Sequence, residues 1–138
     1  MVDHSVPRSV LLVAETPDAS PALAGFVRRR SLERHLRLTL LVPGADDEAE
    51  LTIRRLRPAI ELAAGEPIST MVGLHQPLAA VEDALNRQTF DEIVLAVQPG
   101  DLRHEITLDV ARKLKALDLP VTMLGLEPGD HSQRRLAA

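Results

Sequence analysis

Aromatic residues and cysteine are almost absent from this sequence. Its 138 residues include no Trp, no Tyr and no Cys, and the only aromatic residues are Phe26 and Phe90. Without Cys, the chain forms no disulfide, binds no metal through thiolates and uses no thiol nucleophile. With so few rings, stacking on the bases of single-stranded nucleic acid is nearly unavailable. The net charge of −4 also argues against nucleic acid as a partner.

Long apolar runs are missing as well. No run approaches the ~20 residues that a membrane-spanning helix needs, and the opening MVDHSVPRS lacks the apolar region of a secretory signal. We therefore expect a cytoplasmic protein with no membrane contact. The length predicts one domain over residues 1–138, with a core at about 8–126 and a polar tail at 127–138.

Short apolar runs and amphipathic stretches alternate along the chain. Runs such as SVLLVA and RLTLLV are typical of strands that are buried on both faces. The predicted strands are 9–14, 37–42, 67–72, 90–97 and 120–126, with a helical pattern after each of the first four. This alternation predicts an α/β fold, a five-stranded parallel sheet in the order 3-2-1-4-5 with helices on both faces.

Local signals predict where the helices begin and end. Asp18 or Ser20 is expected to cap the first helix. Pro58 lies inside the second helical pattern and is expected to kink or split it, and Gly65 is expected to end it. The fourth helix is expected to begin at about Thr107.

An open parallel sheet binds ligands beyond the carboxyl ends of its strands, where the strand order reverses. In the order 3-2-1-4-5 that point lies between the first and fourth strands. The loops at 15–20 and 98–107 follow those two strands, so we expect any ligand to lie between them.

Four segments, in order and spacing, resemble those of universal stress proteins. VLLVAETPDASPAL resembles the first strand, turn and helix of that family, and GLHQPLAAVEDAL its third loop and helix. FDEIVLAV resembles the fourth strand, and LPVTML the last. Leu108-Asp109 matches the helix start of an actinobacterial-type subgroup. The resemblance covers about residues 8–126 and implies a Rossmann-like stress-response module with a nucleotide site.

The resemblance implies a set of ligand-binding positions. ATP-binding members carry Gly-x2-Gly-x9-Gly-Ser/Thr after the fourth strand, where this chain has QPGDLRHEIT with a single glycine. Glu15 or Asp18 would replace the acidic residue that follows the first strand. The candidate ligand-binding residues are Glu15, Thr16, Asp18, Val42, Gly73, Gln98, Gly100, Arg103 and Thr107.

The loop at 98–107 is poorly suited to phosphate. Glycines let backbone N–H groups approach an anion, and this loop has lost them. It has gained Asp101 and Glu105, and a carboxylate ~5 Å from a phosphate charge repels it by roughly 3 kcal/mol at an effective dielectric of about 20. We expect a degenerate site without tight ATP binding. Three alternatives remain. The loop could be an ordinary strand-to-helix connection, it could bind another small anion, or Mg²⁺ could bridge ATP to Asp18 or Asp101.

Other classes of function have less support. The sequence contains no nucleophile elbow, Walker motif or Gly-x-Gly-x-x-Gly motif. His75 and His104 follow strands about three spacings apart, near 14 Å, which is too far for one metal. Catalytic and metal residues are therefore not predicted. Two other functions remain as alternatives. One is a small metal-assisted hydrolase that uses Glu15, Asp18 or Asp101, and the other is a structural dimer that binds a protein partner.

The two edge strands of the expected sheet indicate how the protein could form a dimer. Strand three is polar and opens with Pro67, which suits an edge that faces solvent. Strand five is more apolar, and universal stress proteins that resemble this chain often dimerise through it. We therefore expect a two-fold homodimer with Val121 and Met123 at the contact. The alternative is that residues 127–138 fold back and cover that edge.

Overall fold

The described residues fold around a single β-sheet. The computed structural model describes residues 6–44, 47–73, 76–97, 112, 119–125 and 133–135. Within these ranges the elements are β1 (Arg8–Val13), a 3-10 helix (Pro17–Ala19), α1 (Ser20–Glu33), β2 (Leu36–Pro43), α2 (Asp47–Ala64), β3 (Ser69–Gly73), α3 (Pro77–Arg87), β4 (Glu92–Val97), β5 (Val121–Gly125) and β6 (Gln133–Arg135).

The strand order is β3-β2-β1-β4-β5-β6. The first five strands are parallel, which confirms the predicted order 3-2-1-4-5. β6 is antiparallel to β5 and was not predicted. Its residues pair across the edge, with Met123 opposite Arg134. Residues 133–135 of the tail therefore cover this edge from Thr122 to Leu124, as the alternative predicted, and the expectation of an unpaired edge at β5 is wrong there.

Two apolar layers bury the two faces of the sheet. Alternate residues of one strand enter different layers: Val10 and Leu12 pack with α1 and α2, whereas Leu11 and Val13 pack with α3. Because both faces are covered, the central strands are apolar at almost every position. This explains why the strand signals were continuous apolar runs rather than alternating patterns.

The ends of the helices differ in part from the predictions. α1 begins at Ser20 after Ala19, and no side chain caps it; Asp18 lies in the preceding 3-10 helix. The proposed caps are therefore wrong. α2 runs from Asp47 to Ala64 as one helix with Pro58 inside, so the proline does not split it.

Gly65 ends α2 as predicted. Its φ is 76°, in the left-handed region that glycine enters without strain. Its N–H donates to the carbonyl of Glu61 at 2.8 Å. The predicted fourth helix lies almost wholly outside the described residues. Among the residues described, no helix is long and apolar enough to cross a membrane.

Candidate functional site

The strand order reverses at β1, which pairs with β2 on one side and with β4 on the other. Val13, at the end of β1, lies opposite Leu41 of β2 and Leu95 of β4. The carboxyl ends of these strands therefore share one edge of the sheet. In folds of this type, that reversal point is where ligands bind.

The segment after β1 turns sharply at this edge. The N–H of Ala14 donates to the carbonyl of Leu41 at 3.1 Å, so pairing with β2 continues one residue beyond β1. The chain then enters the 3-10 helix, in which Pro17 supplies the fixed φ of a first helical position. Ala19 is buried and its N–H donates to the carbonyl of Thr16 at 3.3 Å. Asp18 stays exposed between them.

Thr16 has an unused hydrogen-bonding group. Its hydroxyl oxygen is buried, and no partner for it is found among the described residues. A hydroxyl buried without a partner costs about 1–3 kcal/mol. Glu15, next to it, is partly buried and takes part in an interaction of its own. The carboxyl end of β1 thus presents Thr16 and Asp18 as its available polar groups.

Val42 and Gly73 lie at the same edge but have structural roles. Val42 is 1% exposed and packs with the α1–α2 layer, which leaves only its backbone for a ligand. A Cβ on Gly73 would lie 2.6 Å from Cβ of Ala80 and 3.0 Å from Cδ1 of Leu41. Gly73 therefore permits close packing of α3 on β3, which is a sufficient reason for a glycine there.

The other four candidates follow β4. Gln98, Gly100, Arg103 and Thr107 lie outside the described residues, as do His75 and His104. The structure therefore brings Glu15, Thr16, Asp18, Val42 and Gly73 to one edge and leaves the second half of the candidate site untested. Among described residues, no group of three or more His, Cys, Asp or Glu side chains could hold a metal ion.

The sequence analysis missed a buried ionic cluster at the opposite, amino-terminal edge. Glu92 is buried, with 2% of the residue exposed, and its carboxylate is at the centre of the cluster. It accepts hydrogen bonds from Nε of Arg8 at 3.0 Å, Nη1 of Arg30 at 2.7 Å and Oγ1 of Thr122 at 3.1 Å. The guanidinium of Arg30 also lies 4.7 Å from the centre of the Phe26 ring. These contacts tie α1, β1, β4 and β5 together.

The cluster has one sequence signal, the acid that opens the apolar run EIVLAV. An acid at the start of a buried strand needs cationic partners. Those partners come from positions 84 and 62 residues away, so the spacing alone could not identify them. The cluster lies at the amino ends of β1 and β4, opposite the candidate site. It therefore stabilises the sheet and is not part of that site.

Comparison with known proteins identifies the fold. No model of a protein family matches the chain, and no curated protein matches it. Among solved structures, a universal stress protein in complex with cAMP matches with a TM-score of 0.67 and 12% identity. The match covers 88% of this chain and 98% of that one. The chain therefore has the fold of a universal stress protein, as the sequence resemblance implied.

Proposed function

We propose that this protein is a universal-stress-protein-like regulatory module that binds a small ligand at the carboxyl end of β1. The observation that carries the proposal is the match over 88% of the chain to a universal stress protein solved with cAMP. The reversal of strand order at β1, with the buried hydroxyl of Thr16 beside it, supports this edge as the place of binding.

The proposed site discriminates between nucleotides by charge. Asp18 is exposed at the edge, and Asp101 and Glu105 follow β4 in the sequence. Repulsion from a carboxylate grows with the charge on the ligand. A cyclic monophosphate carries a single negative charge, whereas ATP carries several. The proposal therefore predicts that cAMP or another mononucleotide binds better than ATP, and that no cofactor is held tightly.

A panel of ligands tests this proposal. Melting of the protein is followed by far-UV circular dichroism or calorimetry with cAMP, AMP and ATP, each with and without Mg²⁺. A micromolar site at millimolar ligand adds about 4 kcal/mol to the free energy of unfolding. We expect a clear rise in Tm with a mononucleotide and little rise with Mg-ATP. A large rise with ATP would contradict the degenerate site.

Matched carboxylate variants locate the site. Asp18→Asn removes a charge at the carboxyl end of the sheet, and Glu33→Gln removes an exposed charge at the end of α1, beside the amino-terminal edge. We expect Asp18→Asn to strengthen binding of anionic nucleotides and Glu33→Gln to leave it unchanged. Equal effects of the two variants would mean that only the net charge matters.

The panel also separates the alternative functions. A cation-bridged ATP site would require Mg²⁺ and would be lost in Asp18→Ala. A metal-assisted hydrolase would release phosphate from ATP, although no metal-binding group of side chains is found within the described ranges. A structural module that binds only a protein partner would show no shift in Tm with any ligand.

The proposal also includes a cytoplasmic location and assembly into a homodimer.

A further inference from the structure

The strand β3 forms an edge of the sheet. It pairs with β2 through Ser69–Gly73, and no described strand lies on its other side. The opposite edge is β6, which is three residues long and contains two arginines. Short, charged strands resist pairing with another chain, whereas longer uncharged ones favour it. Of the two sheet edges formed by described residues, β3 is therefore the one that is open to a partner.

The direction of the backbone groups along β3 follows from a contact at its last residue. The carbonyl of Gly73 accepts from the N–H of Gly44 at 3.2 Å, so Gly73 faces β2. In an extended strand the backbone groups of successive residues point to opposite sides. Ser69 and Met71 therefore also face β2, and Thr70 and Val72 face outward.

A contact at Ile68 agrees with this alternation. Ile68 is two residues before Thr70, so its backbone groups should also face outward. Its N–H indeed donates to Oε2 of Glu61 at 2.9 Å instead of to β2. Glu61 thus satisfies one outward group at the start of the edge. In the described part of the chain, no hydrogen bond reaches the outward groups of Thr70 and Val72.

β3 also lacks the usual protection of an edge. The sequence STMVG contains no charge and no proline, and Pro67, which was expected to blunt the strand, lies before its first residue. Val72 is 44% exposed. Soluble proteins normally place a charge, a proline or a bulge in such a strand.

We propose that β3 pairs with β3 of a second copy in a two-fold, antiparallel homodimer, with Thr70 opposite Val72 of the partner. In this register both residues have outward N–H and C=O groups, so each pair exchanges two hydrogen bonds and the dimer gains four backbone bonds. Met71 lies opposite its own copy on the two-fold axis. A register that uses Ile68 is disfavoured because Glu61 occupies its N–H.

A second copy suits this edge because the edge is complementary to itself. The same two residues supply the donors and the acceptors, as a two-fold interface requires. Thr70 and Val72 are both β-branched and would face each other across the strands, a pairing that stabilises sheets. No charged residue on β3 repels its copy. This inference does not depend on the proposed ligand.

Hydrogen exchange measured by NMR tests the register. As protein concentration rises from the micromolar to the millimolar range, we expect exchange of the Thr70 and Val72 amides to slow. The amide of Ile68, which Glu61 already binds, serves as the internal reference and should not change. Light scattering or sedimentation should show the mass rising from monomer to dimer over the same range.

Two variants of one residue complete the test. Val72→Pro removes the outward N–H and leaves the bonds between β3 and β2 in place. Val72→Thr keeps both the N–H and the branched shape. We expect Val72→Pro to be monomeric and Val72→Thr to dimerise like the original chain, with circular dichroism confirming that both are folded.

Two results would overturn the proposal. One is a monomer at every concentration. The other is a dimer in which exchange of Thr70 and Val72 does not depend on concentration, because that dimer uses another surface. If Val72→Pro fails to fold, the exchange rates of the unaltered protein still decide between these outcomes.

Discussion

Buried polar side chains among the described residues are of two kinds, those with a hydrogen-bond partner and those without one. Glu92 and Thr122 satisfy each other within a cluster that also contains Arg8 and Arg30. Thr39, in β2, is 1% exposed and has no partner for its hydroxyl among the described residues. The first kind fixes how α1 and three strands meet. The second kind lowers the free energy of unfolding, because a buried hydroxyl loses its hydrogen bonds to water and gains none in the protein.

The same substitution in the two strands should have opposite effects. Thr39→Val removes an unpaired hydroxyl and keeps the shape of the side chain, so the free energy of unfolding should rise by about 1 kcal/mol. Thr122→Val removes a hydroxyl that donates to Glu92 at 3.1 Å and should lower it by about 1–2 kcal/mol. Urea denaturation followed by circular dichroism measures both. Destabilisation by Thr39→Val would show that its hydroxyl has a partner.

At the scale of elements, Gly73 governs how closely α3 packs on β3. Gly73→Ala would place a Cβ 2.6 Å from Cβ of Ala80, so α3 must shift, at a cost of about 1–3 kcal/mol. Gly25→Ala in α1 is the matched control. A Cβ there would have only an ordinary contact, 3.5 Å from Nη1 of Arg29, so the higher helix propensity of alanine should stabilise the protein by up to about 1 kcal/mol. Similar effects at both sites would contradict the packing argument.

The junction between α2 and β3 should depend on pH. The N–H of Ile68 donates to the carboxylate of Glu61 and, with Arg57 nearby, lowers the pKa of Glu61 below its ordinary value of 4.5. Because the folded pKa is the lower one, the stabilisation is complete above about pH 4.5 and is lost as the pH falls through the folded pKa.

Comparison with Glu61→Gln isolates this contribution. The amide oxygen of Gln can still accept from Ile68 but does not titrate. The stability advantage of the original chain over the variant should therefore be largest near neutral pH and should shrink below pH 4.5. Urea denaturation from pH 3 to pH 7, with the carboxyl signal of Glu61 followed by NMR, measures both effects. An advantage that is constant over this range would exclude the linkage.

At the scale of the whole molecule, β6 decides which edges remain open. It pairs with β5 from Thr122 to Leu124, and Val121 and Met123 are only 4% and 8% exposed. Truncation after Gly125 removes this cover. We expect the truncated chain to associate through β5 or to precipitate, because a longer apolar edge is then open. Light scattering measures the change, and a truncated chain that self-associates no more than the full chain would show that β6 does not protect the edge.

The parallel sheet was predictable because its signals are local. Runs such as VLLV and LTLLV can be buried on both faces only in a sheet covered by helices, and the alternation with amphipathic stretches fixes the crossovers. The place of the candidate site followed from strand order. The roles of Val42 and Gly73 did not, because their burial depends on α1, α2 and α3 packing from elsewhere in the chain.

Sequence alone thus determined the class of fold, the order of the five parallel strands and the edge where ligands are expected. Periodicity and turn residues act between near neighbours, and they suffice for those features. Tertiary structure decided the partners of Glu92, the cover that β6 gives to β5 and the outward direction of Thr70 and Val72. Each of these depends on residues that are distant in sequence, and only folding brings them together.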